Sequence, residues 1–266
     1  MQTLNCFCEP EIAIDWKHSD IKNGFRGENI HTNVITLKTR QAVFSRVNFF
    51  FKRTLDIFVS LIGLFLLMPL FGIISYLIWL DTRGSIIYKQ IRIGRDRRLR
   101  KNKIILKYFF NENERRFKES SGRPFNLYKF RTMYSDAERL SGPVWAKEND
   151  PRITRFGKWL RKMRLDELPQ LWNILKGDMS LVGPRPERPF FIDQYREKIH
   201  SYNSRFWVLP GITGLAQIYN GYDMTMASVQ RKINYDIKYI KTFSFISDLK
   251  ILIKTIPVVL KGKGAH

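Results

Sequence analysis

The sequence predicts an α+β, mostly helical chain in which a membrane re-entrant helix joins a small domain holding a short β-hairpin and amphipathic interfacial helices. Three observations carry that reading. Residues 57–80 run 24 positions without a charge. Residues 85–94 and 124–133 alternate as strands do, and from Ser135 onward apolar residues recur mainly at three- and four-residue spacing. The chain divides into a polar arm (1–45), the re-entrant helix (46–81) and the second domain (82–266), with a basic insertion at 95–123.

At 266 residues the chain can bury a core without a disulfide or metal staple. Its 46 Lys+Arg against 24 Asp+Glu leave a net charge of +22, while 44% hydrophobic content excludes a disordered basic tail. Such a field calls for polyanionic partners: nucleic acid, anionic lipid or phosphorylated substrates. Cys6 and Cys8 stand one residue apart and the four histidines are scattered, so neither a zinc site nor a disulfide scaffold is present in the pattern. GxGxxG, GxxxxGK[ST] and GxSxG are absent too.

The arm carries the turn signals Asn23, Gly24 and Gly27 and reads as poorly ordered. The uncharged run after it would span about 36 Å as one straight helix, enough for a bilayer core. Two features favour a bent, re-entrant course over a spanning one. Pro69, preceded by Met68, sits mid-run and deletes a backbone hydrogen bond. Both flanks are basic, with Arg46, Lys52 and Arg53 before and Arg83, Lys89 and Arg92 after, so no charge asymmetry orients a span. Lys52 and Arg53 at one end, and Tyr76 and Trp79 at the other, are expected to anchor among headgroups.

The two strands pair as a hairpin around the 95–123 segment, which has eleven Lys/Arg and four Asp/Glu and reads either as a solvated loop or as a packed or lipid-facing insertion. Alternation along 124–133 puts Phe125, Leu127, Lys129 and Arg131 on one face. Adjacent cations there await an anion or serve solubility. Further on, Ile153, Phe156, Trp159, Leu160 and Met163 interleave with Arg152, Arg155, Lys158, Arg161 and Lys162 as a basic amphipathic helix. It runs into RLDELPQLWNILKGDMSLVGPRP, where Pro169 suits a first helical position and places Asp166 and Glu167 at or before a helix N-terminus. An Asp in that place is commonly a cap. Here two carboxylates sit amid Arg161, Arg164, Lys176 and Arg185, and cations would hold the Asp ionised, a form able to attack phosphorus.

This string, with YKFRTM (128–133) before it and PGITGLAQ (210–217) after it, resembles the bacterial sugar transferase family, the monotopic phosphoglycosyl transferases or polyprenyl-phosphate hexose-1-phosphate transferases. The likeness covers about four fifths of the chain, from about Lys52 through Gly264. It implies a small cytoplasmic catalytic domain that moves a sugar 1-phosphate from a UDP-sugar to polyprenyl (undecaprenyl) phosphate and releases UMP, the first membrane step of surface glycan or exopolysaccharide synthesis. It further implies Asp166 as the nucleophile of a covalent phosphosugar intermediate and Glu167 as the residue associated with a required Mg2+. Arg161 matches a phosphate-binding arginine, Lys129 and Arg131 the basic pair of the family's KFR motif, and Pro184, Arg185 and Pro186 a nucleotide-recognition loop, Arg185 also facing phosphate. The implied location is the bacterial inner (cytoplasmic) membrane, catalytic domain on the cytoplasmic face, with UDP-sugar, polyprenyl phosphate and membrane lipid as partners, no nucleic acid, and a homo-oligomer left open.

Three departures accompany the resemblance. Many members have Ser where this chain has Met68, so no hydroxyl supports the turn broken at Pro69. The 95–123 segment is longer than the usual hairpin turn. Residues 1–45 hold no apolar run long enough for the additional membrane helices of larger members. The last stretch, 231–263, has eight Lys/Arg against two Asp/Glu, with Ile233, Ile237, Ile240, Leu249, Ile253 and Ile256 at helical spacing. It lies along headgroups or packs on the core, and Pro257 ends or bends its last helix. The competing readings are a non-catalytic, membrane-tethered basic protein binding anionic lipid or nucleic acid, and an enzyme transferring the sugar without its phosphate.

Overall fold

The computed structural model describes residues 46–96, 122–135, 137, 150–199, 201–220 and 225–261. The arm 1–45 and residues 97–121 of the basic insertion lie outside the described residues. Helix α1 (Arg46–Leu66) and helix α2 (Met68–Asp81) meet at an angle of 61°. The cause is Pro69 in the first turn of α2, whose missing N–H breaks the ladder across the junction. The break falls at Leu67, where the amide still donates to Gly63 O (2.9 Å) and the carbonyl accepts from Phe71 N (2.9 Å). Among the described residues no single helix is long and apolar enough to cross a membrane; the two helices of the bent pair have that length and apolar composition only when taken together. Phe58, Leu61, Phe65, Met68, Ile73 and Leu80 expose their side chains along both arms, whereas Ile74 and Ile78 are buried with Phe130 and Leu160.

Strands β1 (Ile87–Gly94) and β2 (Arg123–Phe130) pair antiparallel, from Ile87 opposite Phe130 to Gly94 opposite Arg123. The hairpin therefore flanks the basic insertion as expected, but β2 stops three residues short of Met133. Next come α3 (Arg155–Lys162), a 3₁₀ turn at Leu165–Glu167, and α4 (Gln170–Lys176). Thr154 caps α3 by accepting the Gly157 amide at 2.9 Å. Pro169 takes the N-cap of α4 and not its first helical position, because the 3₁₀ turn already occupies the preceding residues.

Strand β3 (Ser180–Val182) lies parallel to β4 (Gly211–Thr213), a pairing absent from the sequence reading, which took this region as helical. Two three-residue strands are too short to show a period. Gly211 permits their approach, since a Cβ there would sit 2.1 Å from Gly183 N. Helix α5 (Pro189–Lys198), a 3₁₀ turn at Tyr202–Trp207, α6 (Leu215–Tyr219), α7 (Met226–Lys241) and α8 (Phe245–Leu260) complete the elements among the described residues. The main core gathers Leu127, Ile174, Met179, Val182, Tyr239 and Ile251. Helix α7 packs inward through Ile233 and Ile240, while α8 leaves Ile246, Ile253, Ile256 and Leu260 exposed. Pro257 does not end α8, which continues to Leu260.

The basic flank of α1 corrects an expectation. Lys52 is only 5% exposed and donates to Asp248 Oδ2 of α8 (2.6 Å) and to Val182 O of β3 (2.8 Å). Arg53 donates to Ile174 O (2.6 Å) and Leu175 O (2.8 Å), satisfying the carbonyl end of α4. One turn on, Asp56 accepts from Leu181 N (2.9 Å) and Ser180 Oγ (3.1 Å). These three side chains fasten α1 to the domain that carries the dyad, so Lys52 and Arg53 are internal ties rather than headgroup anchors.

Candidate active site

Asp166 and Glu167 stand in the 3₁₀ turn between α3 and α4, 6% and 7% exposed. The chain enters this turn through Arg164 in the left-handed region (φ 58°), the one such non-glycine among the described residues. Lys129, near the end of β2, reaches across to both acids: its Nζ lies 3.0 Å from Glu167 Oε1 and 3.6 Å from Asp166 Oδ2. Arg185, in the loop after β3, grips Glu167 with two nitrogens, Nη2 to Oε1 at 2.5 Å and Nη1 to Oε2 at 3.3 Å. Arg164 Nη1 adds a longer contact to Oε1 at 3.9 Å.

The cations are thus shared unequally, and the two neighbouring acids respond in opposite directions. Burial pushes both carboxyls up. For Glu167, Arg185 and Lys129 outweigh burial and hold it well below the usual carboxylate range. For Asp166, burial prevails over Lys129, and the adjacent Glu167 charge adds to it, so its carboxyl rises. The expected cationic cluster therefore secures the ionised form of Glu167 more than that of Asp166. A more basic, loosely paired carboxylate is the better nucleophile, and a pair of acids driven apart is how one site divides two roles.

The other sequence-derived residues divide into those near the dyad and those elsewhere. Arg161, in the last turn of α3, donates from Nε to Thr132 Oγ1 at 2.8 Å, and its charge lowers the Asp166 carboxyl against the prevailing rise. Arg131 does not lie beside Lys129 as the alternation predicted. Its guanidinium donates to Thr82 O, to Thr82 Oγ1 (2.8 Å) and to Arg83 O (3.2 Å), closing the end of α2. The alternation fails there because β2 ends at Phe130. Pro184 and Pro186 flank Arg185 and set its loop, while Met68 and Pro69 belong to the bend between α1 and α2. Sequence reasoning missed Thr132, which orients Arg161, and Arg92 and Arg205, which touch the Arg185 loop. None sits at a telling period, and only YKFRTM, which contains Thr132, marks the neighbourhood of one.

Among the described residues no group of three or more His, Cys, Asp or Glu is placed to hold a metal ion. Both Glu167 oxygens are committed to cations, which leaves Asp166 the carboxylate with room for a further ligand. One available carboxylate suits magnesium only when substrate phosphate oxygens complete its shell.

The family model for bacterial sugar transferases matches residues 47–262, from α1 to beyond α8. The chain belongs to the bacterial sugar transferase family. The match takes in the bent helix pair and the dyad as parts of one family domain. Among similar bacterial sugar transferases, the chain is 39% identical over 217 residues to the UDP-N-acetylgalactosamine-undecaprenyl-phosphate N-acetylgalactosaminephosphotransferase of Aeromonas hydrophila, covering 82% of this chain and 45% of that protein. A putative undecaprenyl-phosphate N-acetylgalactosaminyl 1-phosphate transferase of Bacillus subtilis is 39% identical over 189 residues, 71% of this chain and 88% of the relative. The UDP-glucose:undecaprenyl-phosphate glucose-1-phosphate transferase of Caulobacter vibrioides is 36% identical over 219 residues, 81% and 72% respectively. This bacterial sugar transferase therefore spans less than half of the Aeromonas relative and most of the Bacillus one.

Proposed function

We propose that the protein transfers a sugar 1-phosphate from a UDP-sugar to polyprenyl phosphate, undecaprenyl phosphate in its relatives' names, at the cytoplasmic face of a bacterial inner membrane. The observation that carries the reading is the geometry of the dyad: a buried Asp166 with Lys129 nearby at 3.6 Å, next to a Glu167 held by both Arg185 and Lys129.

In the proposed first step an Asp166 carboxylate oxygen attacks the β-phosphorus of the UDP-sugar. The new bond joins Asp166 to phosphorus, and the bond to the bridging oxygen breaks with its electron pair leaving on UMP. Lys129, Arg185 and Arg161 neutralise charge on the phosphate oxygens, with donors already aimed by Glu167 and Thr132 before substrate arrives. In the second step an oxygen of polyprenyl phosphate attacks the same phosphorus, the Asp166–phosphorus bond breaks, and the carboxylate is restored on the enzyme with a lipid diphosphate sugar as product. Magnesium held through Asp166 and the substrate's diphosphate would supply further charge neutralisation. Glu167, saturated by cations, acts in this account as the counter-ion that fixes Arg185 and Lys129.

The bent α1–α2 pair supports a re-entrant seat in one leaflet, because apolar side chains are exposed on both arms while Lys52, Arg53 and Asp56 are tied to the domain. A seat of that kind lets the acceptor's chain stay in lipid while its phosphate reaches the dyad. The deciding experiment uses a UDP-sugar labelled in the β-phosphate with undecaprenyl phosphate in detergent or nanodiscs. Label in the lipid fraction together with UMP release supports the proposal. Label left in UDP identifies transfer of the sugar alone, and no transfer identifies a binding protein.

A further inference from the structure

The loop that carries Arg185 is flanked by Pro184 and Pro186, neither of which has an N–H. Its position therefore depends on what its carbonyls accept. Each of the three is held: Pro184 O by Gly211 N at 3.0 Å, Arg185 O by Arg205 Nη2 at 2.6 Å, and Pro186 O by Arg92 Nη1 at 3.0 Å. The first donor is backbone. The other two are guanidinium groups.

Both guanidinium groups are fixed from behind. Arg205 donates from Nε to Asp236 Oδ2 of α7 at 2.8 Å and from Nη1 to Tyr202 OH at 3.0 Å, with Arg205 and Asp236 both buried. Arg92 donates from Nε and Nη2 to Gln90 Oε1 on its own strand at 2.9 and 2.5 Å. A planar fork with several donors can brace against an acid on one edge and hold a carbonyl on another, which an ammonium group does less well. Simple burial of the Asp236 pair needs no contact with Arg185, yet the remaining nitrogen of Arg205 makes one.

We propose that Arg205, seconded by Arg92, is a positioning residue for the transfer reaction: it holds the Arg185 carbonyl so that the Arg185 side chain meets Glu167 and the substrate phosphate in register. The proposal rests on the functional reading above, in which Arg185 faces phosphate. It assigns Arg205 no contact with substrate. A phosphate donor displaced by about 1 Å can cost a hundredfold in rate, so a small shift of this loop is enough.

The test is a double-mutant cycle on kcat/KM for UMP release, using UDP-N-acetylgalactosamine or UDP-glucose, whichever the wild type turns over faster, and undecaprenyl phosphate. Arg205→Lys keeps the buried charge opposite Asp236 and so keeps the fold, checked by its melting temperature, while Arg92→Gln perturbs the loop from the less buried side. Each is expected to lower kcat/KM roughly tenfold in the wild-type background and less than about twofold on top of Arg185→Ala, because the cycle removes what they act through. If each lowers it by the same factor in both backgrounds, or if both are silent while Arg185→Ala is impaired, the positioning role is overturned and the reading of Arg185 stands. If Arg185→Ala itself keeps wild-type kcat/KM, the phosphate-facing reading of the loop fails and the positioning role falls with it.

Discussion

Replacing Lys52 with Met separates an internal tie from a surface anchor. Lys52 Nζ meets Asp248 Oδ2 at 2.6 Å and Val182 O at 2.8 Å, with side-chain exposures of 6% for Lys52 and 2% for Asp248. Removing one partner of a buried ion pair costs about 3–5 kcal/mol. Here the lower end applies, because Tyr239 OH still donates to Asp248 Oδ1 at 2.9 Å and lies 3.2 Å from Val182 O. A loss of about 3 kcal/mol corresponds to a fall of roughly 6–12 °C in melting temperature for a domain near this size. Burial pushes the Asp248 carboxyl up and Lys52 opposes it, so without Lys52 the folded-state value rises further. A raised folded-state value contributes stability at low pH that is lost as pH rises through it, so the deficit of Lys52→Met should be larger at neutral pH than at acid pH. Neutralising both partners in Lys52→Met/Asp248→Leu should restore stability to within about 1 kcal/mol of wild type. The assay is thermal and urea unfolding in detergent at both pH values. A loss below about 1 kcal/mol, the range of an exposed ion pair, would refute the internal-tie account.

Asp166→Asn should abolish UMP release yet raise the melting temperature of the ligand-free protein at pH 7: burial raises the Asp166 carboxyl, so its ionised form costs stability at neutral pH and that cost disappears at acid pH. A variant less stable than wild type at pH 7 would show that the Asp166 charge is favourable in the fold. UMP release by the wild type should decline on acidification at a higher pH than an unperturbed carboxylate would give, and a flat profile down to about pH 4 contradicts the raised value. Arg161→Ala, Lys129→Ala and Arg185→Ala should each lower kcat/KM for the nucleotide sugar by about 10²–10³-fold without unfolding, while Arg161→Lys recovers part of the loss; wild-type kinetics in all three would remove the cluster from the site. Cysteines introduced at Thr39 and Ser85, with Cys6 and Cys8 replaced, should both react with a thiol reagent confined to the cytoplasmic side, and labelling from opposite sides would rule out the re-entrant seat.

What the sequence determined by itself is what acts over short separations or through composition. The uncharged run broken at Pro69, the alternation of the two strands and the amphipathic period of α3 each reflect local backbone chemistry, and each appears in the fold within a few residues of its expected place. The adjacency of Asp166 and Glu167 and the surrounding basic residues were legible for the same reason. Tertiary structure decided how those charges are shared. Lys129 and Arg131 are two residues apart, yet one turns to the dyad and the other closes α2, because the strand that would align them stops between them. Lys52 carries the same charge as any headgroup anchor, and its burial is compensated because Asp248, 196 residues away, and the Val182 carbonyl meet it. Whether a charge is solvated, paired or made reactive depends on the dielectric and the partners around it, and both are supplied by segments that no local period connects.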